Sequence, residues 1–206
     1  MKVAFSGASG SGKTTLVQFV AETMGLTHIS GSAGDVKKPI DKLYIDELYD
    51  YPGGSHSGVI RFSALNPEYG IQNQQILQIR RKELIMNNTN FVTDRSPADN
   101  VTYFINQCGF HPMVTDQMTE LFMAEALEAW EELTHVIYVE SVQPNEVERN
   151  GNRIANRFYQ KAIDAQFKYW INNFFLKHSV DGPEVMVIDY WDLDQRKENV
   201  IKFLKG

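Results

Sequence analysis

The sequence predicts a three-layer α/β fold, in which a parallel five-stranded sheet is covered by helices on both faces. Short apolar runs, typical of buried strands, alternate with longer segments that carry apolar residues at helical spacing. Parallel strands need right-handed helical crossovers, which place helices on both sides of the sheet. A glycine-rich loop joins the first strand to the first helix. No repeat or low-complexity segment divides the chain, so we expect one domain over residues 1–206.

Five short apolar segments are the predicted strands. They span 2–7, 26–30, 90–96, 134–141 and 184–190. Between the second and the third strand, residues 31–70 are rich in Gly, Pro, Ser, Tyr and Asp. Loops of this length are uncommon in compact domains unless they serve a site, so we expect a variable insertion on the substrate side.

Six longer segments have the apolar spacing of helices. They span 13–25, 69–88, 97–109, 115–133, 158–179 and 193–206. In the second of these helices the apolar spacing predicts an inner stripe of Ile71, Ile76, Ile79, Leu84 and Ile85.

The composition is that of an acidic globular protein. A net charge of −6 and a pI of about 5.4 disfavour non-specific binding to duplex nucleic acid. The single cysteine, Cys108, excludes an internal disulfide, and we interpret it as a small buried hydrophobe. No stretch approaches the length of a membrane span, and the N-terminus lacks the pattern of a signal peptide. We therefore expect a cytoplasmic protein without a membrane partner.

The segment after the first strand, GASGSGKTT, matches the phosphate-binding pattern G-x-x-x-x-G-K-[ST]. Glycines allow a tight turn in which backbone N–H groups converge, and the positive end of the following helix adds to their attraction for an anion. Lys13 supplies a charge for the β- and γ-phosphates of a nucleoside triphosphate, and the Thr14 hydroxyl is the expected Mg²⁺ ligand. The predicted nucleotide-binding residues are Gly7, Ser9, Gly10, Ser11, Gly12, Lys13, Thr14 and Thr15.

Charged residues also end the third predicted strand, in the segment TDRS. Ligands of parallel α/β sheets lie beyond the carboxyl ends of the strands, so we expect Asp94 and Arg95 to face the same cleft as the glycine loop. Asp94 can bind Mg²⁺ through water or act as a base, and Arg95 can hold a phosphate or a substrate hydroxyl. The alternative is a surface ion pair that caps the next helix.

A second group of arginines lies in the segment ERNGNRIANR, where Arg149, Arg153 and Arg157 are spaced by four. On a helix these three like charges share one face, which an anionic ligand would stabilise. Phosphoryl transfer needs cations around the transferred group and exclusion of water, so we predict a mobile lid over residues 143–160. The alternative is a solvated helix face.

The helix over 69–88 is rich in amides, which can pair with a nucleobase edge. Gln74, Gln75 and Gln78 are therefore candidate substrate contacts, and Arg80 or Arg81 can contact an acceptor phosphate. A polar outer face is the alternative for each of these glutamines.

In this order, the phosphate loop, the amide-rich helix, TDRS and the arginine-bearing segment resemble the nucleoside and nucleoside-monophosphate kinase family over nearly the whole chain. The closest likeness is to small phage-type thymidylate or deoxynucleoside-monophosphate kinases. The resemblance implies a strand order of 2-3-1-4-5, with ATP as the phosphate donor and the adenine near residues 190–194. It also implies that a homodimer is one expected assembly. The catalytic residues that it implies are Lys13, Asp94, Arg95, Arg153 and Arg157, with Mg²⁺ at Thr14 and Asp94.

Two departures from the family pattern bear on the acceptor. The phosphate loop lacks the acidic residue of common cellular thymidylate kinases, and only Asp35 follows the second strand where nucleoside kinases carry a base. Asp35 is a candidate substrate contact, with a turn-capping carboxylate as the alternative. A phosphate acceptor needs no base, which favours a pyrimidine monophosphate such as dTMP or a 5-substituted dUMP.

Three other functions stay open at this point. The first is a deoxynucleoside or ribosylnicotinamide kinase that uses Asp35 or Asp94 as its base. The second is an NTP-hydrolysing switch or motor, although the fourth strand ends in Glu140 and Ser141 without a preceding Asp, and no NKxD segment occurs. The third is a nucleotide sensor without catalysis, which the intact Lys13–Thr14 pair disfavours.

Overall fold

The computed structural model describes residues 1–32, 67–141 and 157–206. Asp35, Arg149 and Arg153 lie outside the described residues, as do most of the predicted insertion and lid. Of Arg157 only the backbone is described. The predictions that fall on these side chains stay predictions.

Five parallel strands form one sheet in the order β2-β3-β1-β4-β5, which confirms the order 2-3-1-4-5. The strands are β1 (Lys2–Ser6), β2 (Thr27–Ile29), β3 (Phe91–Thr93), β4 (His135–Val139) and β5 (Glu184–Ile188). In the pairing of β1 with β3, Ala4 lies opposite Thr93. The residues that follow β1 and β3 therefore emerge side by side at the carboxyl edge of the sheet.

Helices connect these strands. They are α1 (Lys13–Met24), α2 (Pro67–Asn87), α3 (Pro97–Cys108), α4 (Asp116–Glu131), α5 (Arg157–Trp170) and α6 (Leu193–Lys205). A π-helical segment, Ile171–Phe175, and a last helical turn, Leu176–His178, extend α5. No helix among the described ranges is long and apolar enough to cross a lipid bilayer.

The two faces of the sheet carry separate cores, as alternating strand residues require. Ala4 of β1 and Tyr138 of β4 pack with residues of α2, α3, α4 and α5. Phe5 of β1 and Ile137 of β4 pack on the other face with α1 and α6. The helices thus cover both faces, which confirms the three-layer architecture. Cys108 is buried in the first core, as predicted.

The inner face of α2 differs from the predicted apolar stripe. Ile71 and Ile85 are buried, but Ile79 is 50 % exposed, so its placement in the stripe was wrong. Gln74, Gln78 and Arg81 are buried at positions between the two isoleucines. These residues share a helix face because their spacing follows the helical period. A polar outer face is therefore excluded for Gln74 and Gln78.

The loop after β1 is tightly packed against β4 at Gly7. Gly7 has φ 136°, and a Cβ built on it would lie 2.3 Å from the Val139 carbonyl oxygen. At the end of α1, Gly25 also has a positive φ of 64°, but a Cβ added there would have no neighbouring atom within 4 Å. The two glycines share a backbone requirement and differ in the space around them.

We expect Gly7→Ala to lower the free energy of unfolding by about 3 kcal/mol or more, because backbone strain adds to steric overlap with β4. The control Gly25→Ala carries only the conformational cost, about 1 kcal/mol. Urea denaturation of both variants measures the difference. Equal losses would show that the contact with β4 contributes nothing.

Candidate active site

The glycine loop lies between β1 and α1, at the carboxyl edge of the sheet. Gly7, Gly10 and Gly12 have φ values of 136°, 85° and 93°, in the region that favours glycine. Gly12 is the N-cap of α1, and no side chain caps this end of the helix. The first backbone N–H groups of α1 are therefore available to an anion.

Lys13 places its ammonium group inside the loop. Its Nζ donates to the carbonyl oxygens of Gly7 and Ala8, at 2.7 Å each, and to Ser11 Oγ at 3.3 Å. Lys13 is only 6 % exposed. Burial, and then the Arg95 cation, lower its pKa to about 7, while Asp99, Asp94 and Asp164 oppose the shift. A phosphate in the loop would exchange weak carbonyl partners for an opposite charge.

The carboxyl end of β3 presents Asp94 and Arg95 at the same edge. Asp94 Oδ1 accepts a hydrogen bond from the Gly31 N–H at 2.8 Å. Arg95 Nη1 pairs with Asp99 Oδ1 at 2.8 Å, and the guanidinium lies over the Tyr103 ring. Arg95 Nε is buried without a hydrogen-bond partner. An ion pair of Arg95, which was the alternative, is thus present, but it is partly buried within the site and does not lie on the surface.

Asp99, on the first turn of α3, links these two parts of the site. Its Oδ2 accepts from Ser6 Oγ at 2.9 Å and from the Ser96 N–H at 3.0 Å. Ser96 and Asp99 form a capping box, and Asp99 is fully buried. Burial lowers the pKa of Arg95, but Asp99, Tyr103 and Asp94 together outweigh that effect and raise this pKa above its ordinary value. Sequence reasoning missed Asp99, although its spacing from Ser96 is that of a capping box.

Arg81 of α2 reaches the site beside Gly31. Its Nε donates to the Gly31 carbonyl at 2.8 Å, and its Nη1 donates to Asn100 Oδ1. Burial, and then the Arg95 cation, lower the pKa of Arg81 to about 10. Gly31 is therefore held on both sides, by Asp94 at its N–H and by Arg81 at its carbonyl. A Cβ on Gly31 would lie 2.8 Å from Arg95 Cβ, so the fit requires glycine.

The three candidate glutamines have different surroundings. Gln78 accepts from Asn100 Nδ2 and donates to the Phe122 carbonyl, so its amide supports Arg81. Gln74 Nε2 donates to Gln107 Oε1 at 2.7 Å, while its own Oε1 is buried without a partner. Gln75 lines a separate groove of about 560 Å³ between α2 and α4, which no glycine-loop residue lines. The substrate contacts of all three stay predictions.

Helix α5, which begins within the last residues of the predicted lid, touches the glycine loop directly. Gln160 Nε2 donates to the Ser9 carbonyl at 3.0 Å. Asp164 accepts from the Tyr138 hydroxyl at 2.9 Å and from the Ser141 N–H at 3.1 Å. These three contacts were missed because they join residues far apart in sequence. They anchor the C-terminal side of the segment in which the lid is predicted.

The residues present fit a magnesium nucleotide by their chemistry. Thr14, exposed on the first turn of α1, and Asp94 offer the hard oxygen atoms that Mg²⁺ prefers. Within residues 1–32, 67–141 and 157–206, no group of three or more His, Cys, Asp or Glu side chains could hold a metal ion. One or two protein oxygens are the usual share of Mg²⁺ sites in which phosphates supply other ligands.

Several solved structures resemble this chain over nearly its whole length. Deoxyadenosine kinase from M. mycoides with bound dATP gives a TM-score of 0.60 at 15 % identity, with 100 % of both chains covered. The chain has the P-loop kinase fold. The YorR protein from Bacillus subtilis in complex with phosphorylated GDP gives a TM-score of 0.56 at 12 % identity, with 98 % of this chain and 95 % of that chain covered. Shikimate kinase from Acinetobacter baumannii in complex with shikimate gives a TM-score of 0.52 at 12 % identity, with 98 % of this chain and 91 % of that chain covered.

No protein-family model matches the chain, and no curated protein matches it. At the identities of the solved structures, the likeness concerns the fold. Function therefore has to be argued from the side chains at the carboxyl edge of the sheet.

The pKa of Lys13 predicts a pH-dependent affinity for polyphosphate. The ammonium charge is present below about pH 7 and is lost as the pH rises through that value. We expect the affinity for inorganic tripolyphosphate to fall by up to about tenfold per pH unit above pH 7, relative to that of Lys13→Met. Calorimetric titration of both proteins between about pH 6 and pH 9 measures this ratio. A ratio that is independent of pH would contradict the role of Lys13.

Proposed function

We propose that the chain is an ATP-dependent kinase that phosphorylates a nucleoside-type acceptor. The observation that carries the proposal is the juxtaposition of two half-sites. The Lys13 ammonium in the glycine loop interacts electrostatically with Arg95 and Asp94, which follow the neighbouring strand. One half-site suits a triphosphate, and the other offers a cation and a carboxylate to an acceptor.

The preferred acceptor is a (deoxy)nucleoside monophosphate, in particular a pyrimidine such as dTMP or a 5-substituted dUMP. A buried guanidinium group, that of Arg81, and a partly buried one, that of Arg95, support this choice, since the two interact with each other electrostatically. Arg95 Nε is also a buried donor without a protein partner. An acceptor phosphate would satisfy that donor, and it needs no general base because it is already anionic.

In this proposal the chain acts by positioning and charge stabilisation. Gly7–Thr15 bind the triphosphate, and Lys13 stabilises charge that develops on the transferred group. Thr14 and Asp94 would hold Mg²⁺, which would supply positive charge to the phosphates. Arg95 orients the acceptor oxygen for in-line attack, which yields the diphosphate and ADP. Arg153 and Arg157 would add lid charges over the transferred group.

A deoxynucleoside kinase is the second candidate, because Asp94 could serve as a base. Three carboxylates interact with Lys13, and Asp99 and Asp164 are buried in networks with protein donors. Asp94 is partly exposed and would be placed to accept a proton from a hydroxyl. Deoxyadenosine kinase among the solved structures of this fold agrees with the second candidate, and a ribosylnicotinamide acceptor belongs to the same class.

We propose a small nucleotide as the binding partner and the cytoplasm as the location of the protein. We propose neither nucleic acid nor a membrane as a partner. The net charge of −6 supports the exclusion of nucleic acid. A homodimer stays a prediction, which light scattering at two concentrations tests. Leu121 and Ile79, exposed beside the groove between α2 and α4, are the apolar residues that self-association could cover.

A coupled ADP-release assay with Mg-ATP and a panel of acceptors tests the proposal. The panel contains dTMP, dUMP, 5-substituted dUMP, dCMP, dGMP, dAMP, thymidine, deoxycytidine and ribosylnicotinamide. ADP release that depends on one monophosphate is the expected result. Release with unphosphorylated nucleosides only would favour the second candidate. Release that is independent of every acceptor would overturn the kinase proposal.

Lys13→Met should lower kcat with the accepted substrate by about a thousandfold, because it removes a cation from the transition state. The control Lys205→Met removes an exposed lysine at the end of α6 and should leave kcat unchanged. Circular dichroism checks that both variants are folded. Full turnover by folded Lys13→Met would exclude a catalytic role for the glycine loop.

A further inference from the structure

Arg196 is a buried cation in an electrostatically unfavourable place. It lies on the first turn of α6, where the helix end is already positive, and it is only 2 % exposed. Burial lowers the pKa of its guanidinium. No carboxylate of the described residues forms an ion pair with it. Burial of an unpaired cation destabilises the folded state, which suggests that Arg196 has a function beyond packing.

The guanidinium joins two segments that are distant in sequence. Its Nε donates to the Tyr190 carbonyl at 2.6 Å, and its Nη1 donates to the Ser11 carbonyl at 2.9 Å. Its face lies over the Trp191 ring, with 5.1 Å between the guanidinium carbon and the ring centroid. Nη2 is buried without a partner. Arg196 therefore bridges the glycine loop and the segment that follows β5.

The contact with Ser11 restrains one peptide plane of the glycine loop. In a trans peptide the C=O of one residue and the N–H of the next point in opposite directions. Since the Ser11 carbonyl is directed to Arg196, the Gly12 N–H is directed away from it. A Cβ on Gly12 would lie 3.3 Å from Arg196 Nη1, so the close approach also favours glycine there.

We propose that Arg196 is a positioning residue for polyphosphate binding, which fixes the Ser11–Gly12 peptide so that the Gly12 N–H faces the bound phosphate. The inference rests on the proposed ATP binding and adds a residue outside the phosphate-binding motif. Arg196 acts through the backbone of the loop and makes no contact with the transferred phosphate. Its guanidinium also packs over the ring of Trp191, on the segment after β5.

Calorimetric titration of Arg196→Met with ATP and with inorganic tripolyphosphate tests this role. Methionine keeps most of the side-chain volume and removes both hydrogen bonds. We expect both ligands to bind about tenfold more weakly, because a charge-assisted hydrogen bond that orients the loop is lost. The control Lys202→Met, which removes an exposed cation from the same helix, should stay within about twofold of wild type for both ligands.

The comparison of ATP with tripolyphosphate distinguishes a role of Arg196 in polyphosphate binding from a role at the nucleoside end of the ligand. If only ATP binds more weakly, Arg196 acts on the nucleoside end through Trp191, and the inference is wrong. If folded Arg196→Met binds both ligands as wild type does, Arg196 serves stability alone, which also overturns it. Should the methionine variant not fold, Arg196→Gln replaces it, because the glutamine amide nitrogen takes the place of Nε and the contact of Nη1 with Ser11 is lost. Unchanged tripolyphosphate binding by this variant would again contradict the proposal. Wild-type protein that binds neither ligand would overturn the proposed function itself.

Discussion

The buried carboxylate of Asp99 is the interaction on which the geometry of the site depends. Through Ser6 it holds the end of β1, from which the glycine loop starts, and through Ser96 it caps α3. Through its other oxygen it holds Arg95. An isolated buried carboxylate would be very unfavourable, and these donors stabilise it together. One side chain thus links the glycine loop to Arg95.

From this centre, hydrogen bonds extend through main-chain groups as well as side chains. Gly31 lies between Asp94 and Arg81, and Gln78 and Asn100 hold Arg81 in turn. The result is a hydrogen-bonded, cation-rich edge. Lys13 is buried beside Arg95, so its ammonium form is destabilised until an anion arrives. The same electrostatics that disfavour the charged lysine therefore favour phosphate binding.

The sheet and the position of the glycine loop between β1 and α1 were predictable because their signals are local. Alternation of strands and helices specifies the layers, and the glycine pattern needs only its immediate neighbours. The buried polar face of α2 could not be predicted in this way, because apolar periodicity assigns Gln78 and Arg81 to the outer face of the helix and Ile79 to the inner face. Their burial depends on partners in α3 and α4. For the same reason, the contact between Arg196 and Ser11, 185 residues apart, leaves no local trace.

We propose that one edge of the sheet holds a triphosphate in the glycine loop and an acceptor beside Asp94 and Arg95. A crystal structure with a non-hydrolysable ATP analogue and the accepted substrate tests it most directly. The account predicts that Lys13 Nζ leaves the carbonyl oxygens of Gly7 and Ala8 and contacts the terminal phosphates. It also predicts that the reactive oxygen of the acceptor lies against Arg95. A triphosphate bound elsewhere, with Lys13 still on its carbonyl partners, would contradict the account.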